Sequence, residues 1–250
     1  MSVPYKQFLL RRLHSLTGLG IGLFLMEHFF TNAHVHQGEE SFNEAVAMIQ
    51  GIPHLIFIEI GLLLLPFAFH IIYGLIIIAG GQSNVYDQSR PRNWMYFAQR
   101  ASAFPILAFL IFHVLTLRIW PEKFHPEVYF NIGDGEPNFF LIMSGVFNGQ
   151  NGLLFCLVYI VGISCGIFHF VNGVATACIT WGLTIGETSQ RVVGYACAGL
   201  GITMVSVAVA AVIGFRIEGA EAVARIAEET PETVSYLIDA VRDVTKSMFA

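Results

Sequence analysis

Charge is what this sequence has least of. Only 12% of its residues are Asp, Glu, Lys or Arg, against about 25% in an ordinary soluble domain, and its mean hydropathy is +0.63. No polar stretch within the 250 residues is long enough to build a soluble domain, so the chain reads as an integral membrane protein. Cysteine is also sparse. Cys156, Cys165, Cys178 and Cys197 all sit in apolar runs and none forms a CxxC pair. That excludes a structural zinc and a thiol-held iron–sulfur cluster; the absence of CxxCH excludes a covalently attached c-type heme. The four read as buried free thiols. No HExxH run occurs, which removes the zinc-hydrolase arrangement. The net charge is −5 with no basic tail, so nucleic acid is not a partner.

Long apolar runs are what the sequence has in abundance. A membrane-spanning helix needs about 20 mostly apolar residues, and five segments qualify: 10–30, 55–79, 96–119, 152–181 and 192–215. The first follows Lys6, Arg11 and Arg12 and so imitates a signal peptide. It contains His14, Glu27 and His28 and lacks a small-residue cleavage site, and it reads as a retained first span. Turn-forming clusters such as Gly80 to Asn84 and Asn131 to Pro137 separate the spans. The connection at 120–151 is the longest and is suited to capping one membrane face. The fold class expected is all-α, a bundle of five transmembrane helices over residues 1–216. A tail at 217–250 has Val234, Leu237, Ile238, Val241, Val244 and Met248 at helical spacing after Thr230-Pro231, and reads as an amphipathic helix.

Basic residues set the orientation. Lys6, Arg11 and Arg12 precede the first span, Arg90, Arg92 and Arg100 lie at the second connection, and Arg191 follows the fourth span. The first connection carries Glu39, Glu40 and Glu44 and no Lys or Arg. The expected N-terminus is therefore cytoplasmic and the C-terminus outside.

Four histidines lie deep in four different spans: His28, His70, His113 and His169. An ionisable group inside a bilayer is costly and persists where something uses or satisfies it. A helix rises about 1.5 Å per residue, which places His28 and His113 ~25 Å along outward-running helices, near the outer face. His70 and His169 lie ~22 and ~25 Å along inward-running helices, near the cytoplasm. The four sort by depth into two pairs. Two facing imidazoles are what a six-coordinate heme iron requires, each giving one ring nitrogen to iron while the other finds a partner. With both axial positions filled there is no open site for a small substrate, so the expected role is electron transfer. Phe69-His70 and Phe168-His169 are each followed by a glycine, Gly74 and Gly173, one helical turn on. Gly18 and Gly22 form a similar strip on the first span, suited either to heme clearance or to plain helix packing. The competing readings are another diheme membrane cytochrome b, such as a hydrogenase or formate dehydrogenase anchor, whose ligand pattern should differ, and a proton-coupled transporter using lone histidines with Glu27 or Glu59. The transporter does not call for matched depths.

Further residues carry a family resemblance. They are Arg11-Arg12-Leu13-His14-Ser15-Leu16-Thr17-Gly18 with His28, Leu65-Pro66 leading to His70-Ile71-Ile72-Tyr73-Gly74, and Arg92-Asn93-Trp94-Met95 with Gln99-Arg100 and His113. Phe168 to Gly173, Thr180-Trp181-Gly182 and Ser189-Gln190-Arg191 complete the set. Over about residues 5–215 the chain resembles the five-helix diheme cytochrome b anchors of succinate:menaquinone oxidoreductases and quinol:fumarate reductases, the Bacillus-like kind. The resemblance implies two b hemes, a proximal one on His70 and His169 and a distal one on His28 and His113. It implies heme propionates near His14, Ser15, Tyr96 and Thr180. It also implies a flavoprotein carrying FAD, an iron–sulfur subunit with its clusters, menaquinone as the quinone, and a place in the bacterial cytoplasmic membrane at the junction of respiratory chain and tricarboxylic acid cycle. The direction, succinate oxidation or fumarate reduction, and a higher oligomer of the complex stay open. One position departs from the diheme fumarate reductase branch: Ile167 stands where that branch has a glutamate, so its compensating proton path is not expected here. A quinone served by both hemes would bind beyond the second, near the outer face. Glu59, Asn32 and His34 are the polar groups the sequence offers at that depth, with Glu59 first because it interrupts an apolar stretch.

Overall fold

The computed structural model describes residues 5–81, 91–120, 138–149 and 151–229. Among them the fold is all-α. Helix α1 runs Tyr5–Ala33 and ends in the short 3-10 turn His34–Gln37. Gly38 follows at φ +94°, a left-handed conformation that a Cβ would strain, and α2, Glu39–Gln50, starts with Glu39 and Glu40 against its positive end. Helix α3 covers Leu55–Ala79, α4 covers Pro91–Ile119, α5 is Phe139–Asn148, α6 is Gly152–Thr180 and α7 is Glu187–Glu229.

Five of these, α1, α3, α4, α6 and α7, are long and apolar enough to cross a membrane. Their outer surfaces agree with that. Helix α3 has no buried residue in its span, and Leu62 is 75% exposed. Leaving such side chains in water would forgo roughly 1.5–3 kcal/mol each, and lipid removes that cost. The local geometry of α3 follows from one residue. Pro66 lacks an N–H and its ring crowds the carbonyl four residues back; the turn Glu59–Leu64 just ahead of it widens into a π-helix. Pro91 opens α4, where a missing N–H costs nothing.

The chain divides into two units. The first comprises Met1–His28, Gly51–Pro105 and Ser164–Val205. Here Arg100 caps the end of α3 by donating to the carbonyls of Ile78 and Gly81. The second comprises Phe29–Gln50, Ile106–Ile163 and Ser206–Ala250, and its core is aromatic. Most of α5 is buried, from Phe140 to Phe147, and packs with Val35, Phe42, Tyr159 and Phe215. Asn138 organises its start. Its Oδ1 accepts from the Leu141 backbone N–H at 3.1 Å and from Asn43 Nδ2 at 3.1 Å, and its Nδ2 donates to Glu39 at 2.8 Å. At the other end Asn148 donates to the Phe215 carbonyl and Arg216 to the Phe147 carbonyl, at 3.1 and 2.6 Å.

Two features extend the sequence expectation. The first connection holds a helix, α2, and the third holds the buried α5. The fifth span does not stop near 215: α7 continues unbroken to Glu229, so the expected tail begins as an extension of that span. Residues 230–250, with the Thr230-Pro231 start, lie outside the described residues, as do Arg90 and the turn clusters at 82–84 and 131–137.

Candidate functional site

His70 on α3 and His169 on α6 face each other in the first unit. Their ring centroids are 6.4 Å apart and their planes cross at 77°. A first-row metal binds imidazole nitrogen at about 2.0–2.1 Å; adding a ring radius of ~1.1 Å on each side would put the centroids of two facing imidazoles that share one metal ~6.2–6.4 Å apart. The spacing fits one iron between the two rings.

The outer nitrogens of both rings are already committed. His70 Nδ1–H donates to the His14 carbonyl at 3.1 Å, and His169 Nδ1–H donates to the Gln99 carbonyl at 3.0 Å. A carbonyl can only accept, so each Nδ1 carries the proton and each Nε2 keeps the lone pair a metal needs. Gln99 holds His169 with its side chain too. Its amide donates to the His169 carbonyl at 2.9 Å, and its Oε1 accepts from Asn172 at 2.8 Å.

Glycines let these helices approach. A Cβ on Gly18 would lie 2.7 Å from His70 Cε1, and one on Gly22 would overlap the Phe170 ring. The strip on α1 therefore receives the His70 ring at one position and the Phe170 ring at the other. Gly74 and Gly173 do not face the rings they follow in sequence. A Cβ on Gly74 would lie 3.2 Å from the His14 ring, and one on Gly173 would lie 3.6 Å from Gln99.

The N-terminal part of α1 supplies polar groups beside this pair. His14 stacks on His70 at 4.0 Å and 13°. Its Nδ1 is buried without a hydrogen-bond partner, as is one terminal nitrogen of Arg12. The Arg12 guanidinium lies 5.0 Å over the Trp181 ring, whose N–H donates to Ser15 Oγ at 3.1 Å. Buried nitrogens without partners are costly, and a pair of carboxylates would satisfy them. A b-type heme carries two propionates. The residues present fit that group at its iron and at its acidic edge. Among the described residues no cluster of three or more His, Cys, Asp or Glu could hold a bare metal ion; a porphyrin iron asks the protein for only two ligands.

Thr180 donates to the Ala177 carbonyl within its own helix, and the Tyr96 ring lies 5.3 Å from the Arg100 guanidinium. His28, in the first unit, has Phe24 stacked at 5.7 Å. His113, in the second, sits in an aromatic pocket: Phe109 stacks at 5.6 Å and the Tyr159 hydroxyl is 3.4 Å from His113 Nδ1. Glu59, in the first unit, is half-buried at the start of the π turn. Asn32 and His34 belong to the second, and His34 Nδ1 is committed to the carbonyls of Phe30 and Thr31 at 3.1 and 3.2 Å. The structure thus brings together His70, His169, His14 and Ser15 with Arg12 and Trp181. Gln99's double grip was not anticipated from sequence. A Gln inside an apolar helix was the available signal, but its partner lies 70 residues away.

No protein-family model matches the chain. It is 32% identical over 211 residues to the succinate dehydrogenase cytochrome b558 subunit of Bacillus subtilis (strain 168), covering 84% of this chain and 98% of that protein.

Proposed function

The chain belongs to the succinate dehydrogenase cytochrome b subunits, and from that premise we propose that it holds two b hemes, anchors the flavoprotein and iron–sulfur subunits at the cytoplasmic face, and delivers electrons from succinate to menaquinone. The observation that carries the reading is the His70–His169 spacing of 6.4 Å, with both Nδ1 protons donated to backbone carbonyls.

His70 and His169 would hold the proximal heme through Nε2, and Arg12, His14 and Ser15 would receive its propionates. His28 and His113 would hold the distal one. Bound there, heme supplies reversible one-electron transfer. The protein's part is to fix the ligand tautomers, exclude water with the apolar faces of five helices, and neutralise the propionates with buried donors. Ile167 is 1% exposed, and an apolar side chain there offers no protonatable relay beside His169.

Glu59, Asn32 and His34, the polar groups that the sequence offers near the outer face, are the residues proposed for menaquinone, where a carboxylate can hold or move the proton that quinone reduction consumes. At the cytoplasmic end the loop between α6 and α7 presents Leu183 and Ile185, 75% and 87% exposed, outside both adjoining spans. The loop is rigid. The N–H groups of Leu183 and Thr184 both bond the Cys178 carbonyl, and Gln190, held by Arg92, bonds the Thr184 carbonyl. Apolar tips beside Arg92 and Arg191 suit a protein surface with an acidic rim, and the iron–sulfur subunit is the partner that would supply it.

The test is spectroscopic. Reduced-minus-oxidised spectra should show two b-type components. Replacing His70 or His169 with Ala should remove the same one, and replacing His28 or His113 the other. If His70 and His169 variants lost different components, the pairing would be wrong.

A further inference from the structure

Two hydroxyls repeat one arrangement on two helices. Thr17 Oγ1 lies 3.4 Å from His70 Nδ1 and donates to the His14 carbonyl at 3.0 Å, the same oxygen that accepts from that Nδ1. Ser102 Oγ lies 3.3 Å from His169 Nδ1 and donates to the Gln99 carbonyl at 3.0 Å, again the oxygen that accepts from the ring. In each case the carbonyl belongs to residue i and the hydroxyl to residue i+3 of a helix that does not carry the histidine. Each ring N–H therefore faces two acceptors, a carbonyl and a hydroxyl oxygen, in a three-centre bond.

A hydroxyl in a membrane helix commonly bonds its own backbone three or four residues back and does nothing more. Thr17 and Ser102 both make such bonds. What that habit does not require is a ligand nitrogen opposite the hydroxyl, and it occurs at both rings. Ser102 is buried, in a span of which little is buried, and its hydroxyl lies against His169 rather than toward lipid.

One acceptor leaves an imidazole free to swing about its Cβ–Cγ bond within the hydrogen-bond cone. A second acceptor, displaced along the helix, narrows that swing and fixes the ring plane. The angle between two axial imidazole planes governs how the iron d orbitals split. Planes near perpendicular, such as the 77° between these two, keep two of them close in energy and give a highly anisotropic low-spin signal; planes turned toward parallel separate them. The electron density on each ring, and so the potential, depends on the same bonds.

We propose that Thr17 and Ser102 are positioning residues that fix the ring planes of His70 and His169, and with them the low-spin signature and midpoint potential of the heme that this pair holds. The inference rests on the reading that these two histidines hold a heme. The experiment uses the complete complex in membranes, comparing wild type, Thr17→Val, Ser102→Ala, and the conservative Thr17→Ser and Ser102→Thr. The readouts are heme per polypeptide, the low-spin electron paramagnetic resonance signals and the redox titration of each component. Thr17→Val and Ser102→Ala should both shift the largest g value and the midpoint of one and the same component, the one that His70→Ala removes. The conservative variants should restore the wild-type values. Unchanged signals in loaded Thr17→Val and Ser102→Ala protein would overturn the proposal, as would shifts in different components. If Thr17→Val failed to load heme, Thr17→Ser decides: native loading and signal support a hydroxyl requirement, whereas loss in both refutes it. Absence of any low-spin signal that depends on His70 in the otherwise wild-type complex would refute the heme assignment itself, a separate outcome.

Discussion

Gly18 and Gly20 stand two residues apart on α1 and do different things. A Cβ on Gly18 would meet His70 Cε1 at 2.7 Å, closer than real carbon contacts allow, while one on Gly20 would meet nothing within 4 Å. The His70 ring cannot simply move aside, because its Nδ1 is tied to the carbonyl of His14, on the same helix as the glycine. Gly18→Ala should therefore displace the ligand and lower heme content at least about twofold, read as heme per polypeptide, despite the gain of about 0.5–1 kcal/mol that Gly→Ala brings in a helix. Gly20→Ala should keep full heme content and unfold at the same temperature or slightly above. Equal heme content in the two variants would show that His70 is not pinned against α1.

Elements show how a single residue reaches along a helix. Pro66 widens the turn ahead of it, and Glu59 opens that turn. A π turn disturbs the regular pattern of backbone bonds and commonly marks functional positions, which adds a structural reason to the depth argument for Glu59. Glu59→Gln keeps size and polarity but not the proton. Quinone-linked turnover should fall about tenfold or more, with both heme spectra and dye-linked succinate oxidation normal. Undiminished quinone turnover would remove Glu59 from the proton path. Helix α5 is the opposite case, an element with no counterpart among the spans. Its ten residues are too few to cross a bilayer, yet they form much of an aromatic core, because Asn138 caps one end and Asn148 and Arg216 tie the other.

At the scale of the molecule, apolar surface is arranged by what surrounds it. The spans expose leucine and phenylalanine to lipid, so their exposure needs no partner. Leu183 and Ile185 lie beyond the spans, where the same exposure calls for a protein surface. Burying an isoleucine is worth roughly 1.5–3 kcal/mol, so Ile185→Glu should weaken retention of the catalytic subunits about ten- to hundredfold. This would be measured as dye-linked succinate oxidation released on washing membranes, with both heme components intact. Activity that stays with the membrane would place the docking face elsewhere.

The sequence by itself determined the number of spans, because crossing a bilayer is a matter of length and hydropathy along a line. It also exposed the four interior histidines, since an ionisable side chain in an apolar run is conspicuous. The rotation of each helix was not legible. Lipid-facing and interior positions are both apolar in this chain, so hydropathy does not mark which face turns inward. Everything that depends on rotation was decided by the tertiary structure. It chose the carbonyls of His14 and Gln99 as ring partners across 56 and 70 residues of chain. It set Thr17 and Ser102 against the ring nitrogens of His70 and His169, and it turned Gly74 toward His14 and Gly173 toward Gln99. The α5 core belongs to the same class, for a short apolar helix becomes a core only when aromatic side chains from other parts of the chain close around it.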